Sequence, residues 1–135
     1  MCKEGDIMQK FLAIQDEVIK TNRIKIVENS TCWSRTHAHI KQRKVCKWNR
    51  ANSISSTFTL FHEIGHIVNN SGKMRRCESE YYATIWAIAE CKKYNLEIPE
   101  SIIESYQRYI YRELERGLRR GGSNYPTREE LSLRG

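Results

Sequence analysis

The chain has 135 residues with 23 Lys and Arg against 16 Asp and Glu, giving a net charge of +7, and 39% of its side chains are hydrophobic and 29% charged. That length predicts one domain around a single core, and that composition excludes an intrinsically disordered chain. The longest uncharged stretches fall far short of a membrane span, so no membrane partner is expected. The opening "MCKEGDIMQK" lacks a signal-peptide pattern. The five cysteines are odd in number and show no paired framework, so they read as free thiols, and both features predict a cytoplasmic protein. The positive balance would suit nucleic acid or an acidic protein. Basic residues are scattered, however, and densest in "IKQRKVCKWNR", "KMRR" and "ERGLRRGG". A solvated basic face accounts for them as well as weak nucleic-acid contact does.

In chain order, a first helix is predicted over 6–20, with Asp6 as its cap and Ile7, Phe11, Ile14 or Gln15, and Val18 on one stripe. Within 23–49, "RIKIVEN" has the alternation of a strand, and "STCWSRTHAHIKQRKVCKWN" reads as one or two more. Together these predict a small antiparallel sheet. "NSISST" offers several N-caps for a helix over 55–70. A second core helix, 78–94, is apolar on more than one face and is expected to be the buried centre of the domain. Pro99 suits the first turn of a helix over 99–120 that carries Ile102, Ile103, Tyr106, Tyr109 or Ile110, and Leu114 at helical intervals and stops at "RRGGSN". The tail, 121–135, has a helical-turn signal near Thr127. The expected architecture is a single α+β domain over 1–135, with a small sheet packed on a helical core.

The segment "FTLFHEIGH", Phe58 to His66, carries the chemistry. Residues i and i+4 of a helix share a face, so His62 and His66 present two imidazoles to one point. Zinc takes imidazole nitrogens and prefers four tetrahedral ligands, of which a catalytic site leaves one to water. Glu63, beside the first histidine, is placed to take a proton from zinc-bound water. The competing reading is a surface helix with two unrelated histidines. The flanking "FTLF" and "IGHIV" oppose it, because polar groups on a mostly buried helix need partners. Gly65 costs a helix about 1 kcal/mol against alanine, which suggests that another backbone, such as a sheet strand, passes close by. A third ligand should come from the next helix, where "CESEYYATIWAIAE" supplies Glu78 and Glu80. Two glutamates two residues apart face roughly opposite ways, so one reaches the metal. Glu80 is favoured. Glu78 remains as the alternative ligand, as a support for it, or as an ion-pair partner of Arg75 or Arg76.

"FTLFHEIGH" followed by "ESEYYA" resembles the ImmA/IrrE family of zinc metallopeptidases, over about residues 54–89. Phe58, Thr59, Leu60, His62, Glu63, Gly65 and His66 match the family's helix. Tyr81 stands where alanine usually follows the ligand glutamate, and the family's "LLMP" ending is absent. The resemblance implies a gluzincin arrangement with His62, His66 and Glu80 as zinc ligands and Glu63 as the base. It also implies an endopeptidase, encoded by a phage or mobile element, that cleaves a helix-turn-helix transcriptional repressor.

Other readings compete. The same fold could regulate or inhibit a host or phage protein by binding alone. Cys32, His37, His39 and Cys46 could form a structural zinc site, although no C-x-x-C knuckle supports it. His37, His39, Tyr81, Tyr82 or Tyr125 could stabilise an oxyanion; tyrosines near apolar runs are more often core.

Overall fold

The computed structural model describes residues 4–27, 37–46, 50–70 and 73–134, and of residues 4–9, 37 and 39 the backbone alone. Four helices and three short strands follow the order α1 (Glu4–Thr21), β1 (Lys25–Val27), β2 (His37–His39), β3 (Lys44–Cys46), α2 (Ile54–Val68), α3 (Arg76–Lys93) and α4 (Glu100–Arg119). The α+β class and the run of elements agree with the sequence reading. Asp6 lies inside α1 rather than ahead of it.

The sheet is mixed, not antiparallel. Its strand order is β1-β3-β2, with β2 antiparallel to β3 but β1 parallel to it, Ile26 opposite Val45. The reason lies at the start of β1. The Arg43 guanidinium donates to the Asn22 carbonyl at 2.6 Å, and the Lys25 amide donates to the Arg43 carbonyl at 2.9 Å. The end of α1 is thereby tied to the turn that begins β3, so both strands leave the same point in the same direction. Alternating hydrophobicity marks strands but does not encode this long-range tie.

The central element is α2, not α3. Nine of its residues are buried, from Thr57 to Ile67, including His62, Glu63 and Gly65. Its start is set by Ser53, whose hydroxyl accepts from the Ser56 amide at 3.0 Å. Gln15 of α1 reinforces it, donating to the Thr57 hydroxyl at 2.8 Å. Helix α3 turns its small residues Ala83, Thr84, Ala87 and Cys91 inward. Its rings, such as Trp86 and the 46%-exposed Tyr82, lie outside that strip, so its apolar composition does not make it the centre.

Gly65 is the contact point between α2 and α3. A Cβ there would lie 2.7 Å from the Ala83 carbonyl oxygen, so the backbone that passes close belongs to a helix and not to a strand. Helices α1 and α3 end in Schellman turns, in which Ile24 and Leu96 donate to the carbonyls of Ile19 and Cys91. Arg23 and Asn95 take the left-handed conformation there. A second cluster of Cys77, Ile110, Leu114 and Leu131 holds the tail against α3 and α4. Among the described residues, no helix is long and apolar enough to cross a membrane.

Candidate metal centre

Two helices build the site. His62 and His66 stand one turn apart on α2, their ring centroids 4.8 Å apart. The close crossing at Gly65 brings α3 near enough for Glu80 to reach between them. Glu80 Oε2 lies 2.9 Å from His62 Nε2 and 3.0 Å from His66 Nε2. His62, Glu63 and Glu80 are all buried. One ligand atom from each of His62, Glu63 and His66 falls within 4.8 Å of the others, so this group could hold a metal ion.

Hydrogen bonds orient both rings. The Thr84 hydroxyl donates its single proton to the Glu80 carbonyl at 2.7 Å. Toward His62 Nδ1, 3.1 Å away, it therefore accepts, which places the ring proton on Nδ1. In neutral His62 the Nε2 lone pair then points at the Glu80 carboxylate. Two electron-rich atoms at 2.9 Å require a cation or a proton between them. The Ser79 hydroxyl lies 3.0 Å from His66 Nδ1, within hydrogen-bond distance of the second ring.

The titration behaviour follows from this crowding. Burial pushes the His62 imidazole down, against the hydrogen bond and charge of Glu80. Burial acts likewise on His66, but Glu80 and then Glu63 outweigh it and the His66 imidazole is raised. Burial would raise the Glu80 carboxyl; the hydrogen bonds from both histidines outweigh it and hold the group well below the usual carboxylate range. Together these shifts keep Glu80 ionised and favour a proton on His66 over one on His62.

Glu78 is not at this point. It is partly exposed and pairs with Arg75 at 3.5 Å. The tyrosines singled out in the sequence lie elsewhere. Tyr81 joins the second cluster, Tyr82 packs edge-on against Tyr81, and Tyr125 lies under the Arg75 guanidinium at 4.5 Å. The side chains of His37 and His39 lie outside the described residues. So does Cys32, and the four-residue Cys/His site with it; Cys46 is a buried free thiol, as are Cys77 and Cys91.

Tyr106 of α4 touches the site instead. Its ring packs at a tilt against His62, centroids 4.8 Å apart, and edge-on against Phe58 at 5.0 Å. Burial pushes its phenol up to about 12, helped by the charges of Glu63 and Glu80 and opposed by a hydrogen bond with Thr59, so it keeps its proton at any working pH. In the sequence Tyr106 is one more residue of a core stripe, and nothing local separates it from Tyr109. Thr84 did carry a signal: a hydroxyl four residues after Glu80 shares its helix face.

No protein-family model, no curated protein and no solved structure matches this chain.

Proposed function

We propose that the protein is a zinc-dependent endopeptidase of the cytoplasm, of the kind that its resemblance to the ImmA/IrrE metallopeptidases implies. The observation that carries this reading is the meeting of two Nε2 atoms and one Glu80 oxygen around a single point, with the His62 tautomer set by Thr84. Two imidazoles and one carboxylate suit zinc and not the all-oxygen ions calcium or magnesium. His62, His66 and Glu80 would hold the ion, and its positive charge would meet the Glu80 carboxylate and the imidazole nitrogens that crowd it. Bound there, zinc supplies a Lewis acid for a peptide carbonyl and acidifies water.

The chain's own groups do the rest. Glu63, buried and next to His62 on α2, accepts the proton of the attacking water and returns it to the leaving amine. Thr84 and Ser79 hold the rings so that both Nε2 atoms face inward. Strand β2 is at the edge of the sheet and packs on α2. An extended substrate segment would add to it through backbone hydrogen bonds, which demand little sequence. A regulatory protein such as a helix-turn-helix repressor, and a phage or mobile-element source, rest on the resemblance of "FTLFHEIGH" and "ESEYYA" alone.

Metal analysis of the purified protein, with cleavage of a randomised peptide mixture read by mass spectrometry, tests the proposal. About one zinc per chain is expected, dropping sharply in His62→Ala. Glu63→Gln should keep zinc and lose cleavage. Full occupancy in His62→Ala, or cleavage undiminished in Glu63→Gln, would overturn it.

A further inference from the structure

Arg76 opens α3 one turn ahead of Glu80, on the same face of the helix. Its side chain is exposed, and its Nη2 donates to the Tyr109 hydroxyl at 3.2 Å. Among the described residues, no carboxylate lies within ion-pair distance of it. Its neighbours differ: Arg75 pairs with Glu78 at 3.5 Å, and Arg116 of α4 pairs with buried Glu113 at 3.3 Å.

Arg76 stands one helical turn from the Glu80 that reaches both histidines, and its guanidinium is charged at any working pH. A surface arginine commonly points into water and wanders. This one is tethered by a neutral phenol, which fixes its direction without using up its charge. The remaining N–H donors keep the planar fork that matches a carboxylate.

We infer that Arg76 is a specificity residue that receives a carboxylate of the bound peptide, either an acidic side chain or a free C-terminus, beside the bond held at His62, His66 and Glu80. The inference rests on the peptidase reading. A tether that merely joins α3 to α4 through Tyr109 is the alternative, and it predicts an effect on stability but none on ligand choice.

Thiol ligands that bind zinc directly separate these without requiring turnover. Calorimetric titration of the zinc-loaded protein would compare mercaptoacetyl-aspartate amide with its asparagine counterpart, and mercaptoacetyl-alanine with its amide. One acid of the two pairs should bind about tenfold tighter than its neutral partner, as a partly solvated charged hydrogen bond supports. Which pair responds identifies the source of the carboxylate. Arg76→Gln should bring that pair to within about twofold while leaving affinity for the neutral ligand unchanged. Arg75→Gln, the same change in net charge, should keep the preference. Equal binding of acid and neutral ligands, or a preference that survives Arg76→Gln, would overturn the role of Arg76 alone. A protein that takes up no zinc would overturn the peptidase reading and this inference with it, and metal content measured on the same sample tells the two apart.

Discussion

Gly65 of α2 and Ala83 of α3 meet backbone to backbone: a Cβ on Gly65 would stand 2.7 Å from the Ala83 carbonyl oxygen and 3.0 Å from its Cα. Helix propensity favours alanine over glycine by about 1 kcal/mol. Here the atom in the way is main chain and cannot rotate aside, and overpacking of this kind costs about 1–3 kcal/mol. Gly65→Ala should therefore lower stability by about 1–2 kcal/mol, seen as a lower urea midpoint at unchanged slope. Separating the helices also withdraws Glu80 from the histidines, so zinc affinity should fall together with stability. Unchanged stability and affinity would show that α3 does not depend on this close approach.

Thr84 allows a sharper experiment, because its hydroxyl both accepts from His62 Nδ1 and donates to the Glu80 carbonyl. Thr84→Val keeps the shape and removes the acceptor. Loss of a hydrogen bond behind a metal-binding histidine costs about 10- to 100-fold in metal affinity. The variant should fold, bind zinc that much more weakly, and regain most of the affinity in Thr84→Ser. Affinity within about twofold of the parent in Thr84→Val would remove Thr84 from the site.

Much of this site was legible in the sequence, because its rules are local. The i, i+4 spacing of His62 and His66 needs only a helix, and the opposite facing of Glu78 and Glu80 needs only one more. The favoured Glu80 does reach the histidines, while Glu78 pairs with Arg75. What escaped depends on tertiary register. The cost of Gly65 signalled a close backbone, yet whether strand or helix passes there depends on how α2 crosses α3. The same holds for Tyr106, whose place on a core stripe does not say that its ring packs against His62. The parallel pairing of β1 is a register against β3, Ile26 opposite Val45, which no alternation pattern contains.

The different surroundings of the two glutamates predict different outcomes for the same substitution. Glu80 is 7% exposed and contacts both histidines, whereas Glu78 has one partly exposed ion pair. Glu80→Gln should reduce zinc occupancy to background in equilibrium dialysis. Glu78→Gln should leave occupancy intact and change stability by no more than about 1 kcal/mol, the range of a surface ion pair. Equal loss in both variants would mean that the carboxylates share the task, contrary to the geometry.

The tail provides a test away from the metal centre. The Gln107 side chain donates to the Leu131 carbonyl at 2.9 Å and accepts from the Leu133 amide at 2.6 Å, holding Leu131 in the second cluster. Thr127 and Glu130 fix the turn just before it, each side chain accepting from the other's amide at 3.1 and 2.9 Å. Leu131 is 2% exposed, so Leu131→Ala should cost about 2–3 kcal/mol, and Gln107→Ala about 1–2 kcal/mol for two lost hydrogen bonds. Both variants should melt earlier in calorimetry by several degrees while binding zinc in the same proportion as the parent. If instead the tail were only laid on the surface, neither change would move the melting temperature. If it shaped the metal centre, zinc binding would fall in step with stability, because α3 carries both Cys77, which meets the tail cluster, and Glu80, three residues further along the same helix.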